Sequence, residues 1–166
     1  MKKIKIFLNY LNPFLNKYTF RNVKYSDYMI IFNWINEKSV RKNSLNQKLI
    51  SLNVHKSWIK KKIEVEKDYF KLFCVKDVEI GFVRIDDNDD YYKLNYLLDK
   101  KYRGRNLSKI MIKMLLNDKN SYKHKPIIAE VLKSNYISIN TLTSCGFKIY
   151  KDNTNNKIKK LIYNEL

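Results

Sequence analysis

Between Leu94 and Leu116 the chain reads LNYLLDKKYRGRNLSKIMIKMLL: a short apolar strand, a basic loop and an amphipathic helix in direct succession. The strand covers Leu94 to Leu98 and the loop Lys100 to Arg105. Leu107, Ile110, Met111, Met114 and Leu115 recur at i, i+3, i+4, i+7 and i+8, so they share one helical face. Asn106 or Ser108 can cap the helix, whose first turn leaves backbone N–H groups without intrahelical partners. Those donors, the positive end of the helix dipole and the side chains of Arg103, Arg105 and Lys109 together suit an anion such as a pyrophosphate. An ordinary strand–helix junction with solvated basic residues would carry the same pattern, so the motif needs support from the rest of the chain.

At 166 residues, 45% of them apolar and 14% aromatic, the chain is expected to form one folded domain, residues 1–166, with a real core. Its formal charge of +18 would attract phosphates or anionic membrane surfaces. The charge runs from end to end, however, and Lys, Asn, Ile and Tyr are abundant together, as AT-rich codon usage would produce. No specific nucleic-acid partner is therefore expected. Cys74 and Cys145 lie far apart in apolar segments, which suggests a reducing, cytoplasmic setting rather than a disulfide framework. His55 and His124 have no Cys or His at ligand spacing, so no metal site is expected. No apolar run is long enough to span a bilayer. The start, MKKIKIFLNYLNPFLNK, is interrupted by Asn9, Asn12 and Pro13 and lacks a small-residue cleavage pattern. Residues 1–17 thus read as an extension, packed on the domain or peripheral to it, and not as a signal peptide.

Taken in order, Tyr18 to Lys24 alternates as a strand. Ser26-Asp27 offers a cap for a helix with Tyr28, Ile31, Phe32 and Ile35 on one face. WINEKSVRKNSLNQKLISLNVH is polar and irregular, after which Ser51 can cap a helix that aligns Val54, Trp58, Ile59 and Ile63. Tyr69 to Val75 and Val78 to Asp86 read as a hairpin about Lys76-Asp77, with Asp86 to Asp90 as an acidic turn. After the central helix come a loop from Tyr122 to Pro126, a buried strand Ile127 to Leu132 and a helix Asn135 to Ser144. Phe147 to Lys151 and Ile158 to Tyr163 form a final hairpin around Asp152 to Asn156. The expected class is a single α/β domain with a mixed central sheet flanked by helices.

This order of elements, from Tyr18 to the C-terminus, resembles the GNAT superfamily of acyl-CoA-dependent N-acyltransferases. The loop Arg103-Gly104-Arg105-Asn106-Leu107-Ser108 resembles that family's Arg/Gln-x-x-Gly-x-Gly/Ala, with Asn106 at the middle glycine and Ser108 at the final small residue. Asn tolerates a left-handed backbone better than most residues, and Ser remains small. EVLKSNYISINTLTSCGF, Glu130 to Phe147, resembles a second family stretch. The resemblance implies the GNAT fold, acetyl-CoA as cosubstrate, and cofactor contacts at Leu97, Leu98, Arg103, Gly104, Arg105, Asn106, Leu107, Ser108 and Asn135.

The first half resembles bacterial N-acetyltransferases of UDP-4-amino sugars, as in pseudaminic acid biosynthesis, through Trp34, Asn36, Val40, Arg41, Asn43, Ser44, Ile50, Ser51, His55 and Trp58. Ile35 stands where that group has arginine. The resemblance implies substrate contacts at Trp34, Arg41, Ser44, His55 and Trp58. The tryptophans and His55 would equally suit a core, whereas a diphosphate calls for a forked cation such as Arg41.

Acyl transfer to an amine needs a base for the ammonium proton and a fixed donor for the thioester oxygen. The resemblance implies a backbone N–H near Leu97 or Leu98 for the second task, with Leu98 preferred, and His55 as first candidate for the first, ahead of Asp86 and Asp87. Many superfamily members protonate the leaving thiolate with a tyrosine in the last helix. Leu142 occupies that position here, leaving water or Tyr136. The expected partner is a small amine acceptor, a UDP-amino sugar in surface glycan biosynthesis, with a homodimer possible. An acetyltransferase of protein N-termini, of the ribosomal-protein type, and a non-catalytic basic interaction domain are the alternatives.

Overall fold

Lys76 and Asp77 adopt φ of +47° and +62°, the left-handed pair that a two-residue hairpin turn requires. They join strands β2 (Tyr69–Val75) and β3 (Val78–Asp87), as their alternation predicts. The computed structural model describes residues 17–64, 69–118, 125–151 and 157–164. Expectations for residues 1–16, for His124 and for the turn at 152–156 lie outside the described residues.

The remaining elements are β1 (Tyr18–Asn22), α1 (Tyr28–Ile35), α2 (Lys38–Lys42), α3 (Leu52–Glu64), β4 (Tyr92–Leu98), α4 (Leu107–Asn117), β5 (Ile127–Leu132), α5 (Tyr136–Ser144), β6 (Lys148–Lys151) and β7 (Ile158–Tyr163). The strands form one seven-stranded mixed sheet in the order β1-β2-β3-β4-β5-β7-β6. Among the described residues only β4 and β5 run parallel, and the final hairpin inserts β7 between β5 and β6.

Period-two alternation divides the sheet into two faces, each with its own core. Val83, Ile85, Leu94 and Leu98 pack against α4 and α5 through Leu107, Met111, Leu115, Ile139 and Leu142. Phe70, Leu72, Phe82 and Leu97 pack on the other face against Ile31, Trp34, Ile35 and Ile59 of α1 and α3. The predicted helical stripe of α4 is buried or half-buried throughout, and Ile112 and Leu116 widen it.

Two local expectations change. The segment after Trp34 is ordered rather than a plain irregular loop: it carries the short helix α2, and Asn36 clamps its ends by exchanging hydrogen bonds with both backbone groups of Ile50 at 2.9 Å. Asp86 and Asp87 belong to β3, not to a solvated turn. The reversal comes later, where Asn88 and Tyr91 exchange backbone bonds of 3.0 and 3.2 Å. Among the described residues no helix is long and apolar enough to cross a membrane.

Candidate active site

The parallel pairing of β4 with β5 stops after Tyr92↔Ile127 and Lys93↔Ile128, and the strands then part. Tyr92 N–H bonds the Pro126 carbonyl at 2.9 Å on the β5 side, whereas Asp99 N–H bonds Ile80 O at 2.9 Å on the β3 side. Backbone groups alternate along a strand, so those of Leu94, Tyr96 and Leu98 face the gap and those of Leu97 face β3. Of the two leucines expected to present a peptide N–H, Leu98 therefore offers one to the gap, while Leu97 contributes its side chain to the cavity wall.

Beyond β4 the basic loop leads into α4. Gly104 and Asn106 have φ of +76° and +58°, so Asn106 does supply the left-handed backbone for which a glycine would be the usual choice. The Asn106 side chain makes no cap hydrogen bond. The first intrahelical bond runs from Lys109 N–H to Asn106 O, at 3.1 Å, and the N–H groups of Leu107 and Ser108 precede it. A Cβ on Gly104 would meet nothing within 4 Å, so this turn is open on its outer side. Arg105 is exposed. Arg103 is bound inward: Nε donates to Leu98 O at 2.9 Å, Nη1 to Ser39 Oγ at 2.7 Å and Nη2 to Glu37 Oε2 at 2.8 Å. Burial favours a neutral Glu37, but hydrogen bonds from Ser39 and Arg103 outweigh it and hold the carboxyl below its ordinary range.

A cavity of about 600 Å³ extends from the gap across the α1/α3 face of the sheet. One wall is a cross-strand ladder in which Phe82, Arg84 and Asp86 of β3 face Leu97, Asn95 and Lys93 of β4. Asp86 accepts from Lys62 at 2.7 Å, Arg84 at 2.8 Å and Asn95 at 3.2 Å. Glu130 accepts from Lys93 at 2.6 Å and Lys160 at 2.8 Å, across the mouth of the gap. Burial would raise the Glu130 carboxyl, but Lys160 and Lys93 outweigh that and keep it low. The Arg84 guanidinium lies 5.0 Å over the Trp58 ring, within cation–π range.

The opposite wall comes from α2, α3 and the segment between them, including Arg41, Ser44, His55 and Trp58. Arg41 holds that segment together. Its guanidinium donates to the carbonyls of Ile35 (2.5 Å), Asn46 (3.1 Å) and Lys48 (3.3 Å) and to Ser44 Oγ (3.0 Å), leaving one Nη2 N–H. The forked grip on a diphosphate expected of Arg41 is therefore largely occupied by its own backbone. His55 is 1% exposed, tilted against Phe32 and Trp58 with ring centroids 5.5 Å away. Its Nε2 lies 2.8 Å from Tyr28 O, which can only accept, so Nε2 carries the hydrogen and Nδ1 is a buried lone pair without a partner. Burial lowers the imidazole pKa below its usual value, against a smaller upward pull from the Tyr28 bond. At neutral pH His55 is uncharged.

The sequence suits Trp34 either to substrate contact or to the core. Trp34 is 6% exposed, does not line the cavity, and donates its indole N–H to Asp99 Oδ2 at 2.8 Å, because it falls on the core-facing side of α1. Asn135 does line the cavity, with its side-chain oxygen capping α5 through Ser138 N–H at 3.2 Å. Arg84, Lys93, Asn95, Tyr96, Glu130 and Ser138 were missed as lining residues. Polar side chains on the same face as Phe82 and Leu97 were the available signal for the first three.

A family model described as an acetyltransferase (GNAT) domain matches residues 17–148. No curated protein matches the chain. Among solved structures, a domain from Methanocaldococcus jannaschii DSM 2661 superposes with a TM-score of 0.79 at 19% identity, covering 90% of this chain and 99% of that one. The spermidine N-acetyltransferase from Vibrio cholerae, in complex with CoA and spermine, gives 0.76 at 15% identity, covering 89% and 95%. The aminoglycoside acetyltransferase AAC(6′)-Ib, in complex with coenzyme A, gives 0.70 at 13%, covering 88% and 94%. At these identities the likeness is one of fold.

Proposed function

Since the chain belongs to the GNAT acetyltransferase family, we propose that it transfers acetyl from acetyl-CoA to the primary amine of a nucleotide-linked amino sugar, of the UDP-4-amino-sugar type. The observation that carries the acceptor class is the charge of the cavity. Arg41, Arg84 and Lys93 line it, and its two carboxylates, Asp86 and Glu130, are each engaged by two cations. Such a wall suits a phosphate-bearing acceptor and disfavours a polycation such as spermine.

The gap and the open loop fit the cosubstrate. The N–H groups of the Gly104–Ser108 turn hold the pyrophosphate, the unpaired edges of β4 and β5 take the pantetheine arm, and Asn135 flanks it. Acetyl-CoA supplies an acyl carbon activated as a thioester. Leu98 N–H donates to the acyl oxygen as it gains charge. His55, neutral and with Nδ1 buried behind the cavity wall, takes the proton of the attacking amine through one intervening water. Trp58 and Ser44 contact the sugar nucleotide, Arg84 and Lys93 its phosphates, and the remaining Nη2 N–H of Arg41 adds to them. The enzyme acts in the cytoplasm, where acetyl-CoA and nucleotide sugars are both available.

The test is an acetylation panel with UDP-4-amino sugars, spermidine, an aminoglycoside and peptides with free N-termini, scored by release of CoA thiol. Turnover on a UDP-4-amino sugar is expected, and Arg41→Ala should raise the KM for that sugar while leaving acetyl-CoA affinity nearly unchanged. Turnover on peptides alone would hand the protein to the N-terminal acetyltransferases. No product with any amine would leave a basic binding domain.

A further inference from the structure

When the C–S bond of a thioester breaks, its electron pair goes to sulfur, and that charge needs a partner. Leu142 of α5 is fully buried and apolar and offers none, and Tyr136 is 71% exposed at the helix start. The phenol that does line the cavity is Tyr96. Its backbone faces the gap between β4 and β5, and its ring packs with the α4/α5 core. Its hydroxyl lies 2.6 Å from Ser138 Oγ in the first turn of α5, a contact between residues 42 apart in sequence. A pair of hydroxyls therefore stands beside the gap, next in the strand to Leu97 and two residues from the Leu98 N–H.

We propose that Tyr96 O–H is the hydrogen-bond donor to the departing sulfur, with Ser138 Oγ turning its own proton onto the phenol oxygen. The proposal rests on the cosubstrate assignment above. In the step, the amine nitrogen forms the C–N bond, the C–S pair moves to sulfur, and the amine loses one proton, which passes by way of His55 to solvent. Tyr96 keeps its own proton, and the thiolate takes one from solvent on release, so protons balance.

Magnitudes favour a donor over an acid. Burial raises Tyr96 to about 12, partly offset by Ser138. A cysteine thiol ionises at about 8.5, well below the phenol. Complete transfer from the phenol would run uphill, whereas a charge-assisted hydrogen bond stabilises the thiolate without it.

The test needs no acceptor. Free CoA is titrated onto wild type, Tyr96→Phe and Ser138→Ala by calorimetry, and ionisation of the bound thiol is followed by its ultraviolet thiolate absorbance against pH. In wild type the bound thiol should ionise below free CoA. In Tyr96→Phe it should move back up by about one pH unit, the worth of one such bond. Ser138→Ala should move it by less. CoA binding with the same thiol pKa in wild type and Tyr96→Phe would overturn the proposal, as would a wild-type bound thiol that titrates like free CoA, even if the phenylalanine variant fails to fold. Failure of wild type to bind CoA would remove the cosubstrate assignment and this proposal together.

Discussion

Arg103, in the loop ahead of α4, pairs with Glu37 at the start of α2 at 2.8 Å, and the same guanidinium holds Ser39 Oγ and Leu98 O. The loop on the cosubstrate side and the helix covering the acceptor side thus share one arginine. Arg103→Ala should weaken acetyl-CoA binding several-fold by releasing the loop. Arg103→Lys should not restore it, because an ammonium lacks the three-way fork. Gly104→Val should do more, since φ of +76° is strained for a branched residue and its side chain would project where the phosphates approach. Calorimetric titration of acetyl-CoA checks all three, and full affinity in Arg103→Lys would mean a simple charge contact with phosphate.

Gly81 faces Leu98 across the β3–β4 ladder at the edge of the gap. A Cβ there would land on the Leu97 carbonyl oxygen and within 3.0 Å of Leu98 Cα. Gly81→Ala should destabilise the fold by roughly 1–3 kcal/mol and weaken CoA binding through displacement of Leu98. A denaturant midpoint equal to wild type would contradict this.

His55 links pH to both stability and rate. Its folded pKa is depressed below 6.5, so the unfolded chain gains a proton first. Its contribution is present above pH 6.5 and is lost as pH falls through the folded value. The low-lying carboxyl of Glu130, against an ordinary value of 4.5, acts only at lower pH. Between those values, stability of wild type should decline with falling pH and that of His55→Phe should stay flatter, measured by denaturant unfolding. His55→Ala should lower turnover most, and more so at low pH, where the amine is more fully protonated.

The charge of +18 should not confer specific nucleic-acid binding. Duplex and single-strand binding should be weak and fall steeply with added salt. Sequence-selective submicromolar binding at physiological salt, in an electrophoretic or fluorescence titration, would contradict this.

What the chain alone determined is local in range. The β2–β3 turn, the face of α4, the left-handed Asn106 and the strand–loop–helix succession depend on residues a few positions apart, whose conformational preferences act before any tertiary contact. Tertiary structure decided which side chains meet. Trp34 and Trp58 look alike in sequence, yet one faces the core and holds Asp99 while the other lines the cavity. Arg84, Asn95, Asp86 and Lys93 become one wall only through the β3–β4 register, and a one-residue slip would turn each to the other face. The gap exists because β4 leaves β5 after Lys93, and Tyr96 meets Ser138 only because α5 packs beside it. The Tyr96–Ser138 and Trp34–Asp99 contacts span 42 and 65 residues of chain, so no short window of sequence holds both partners.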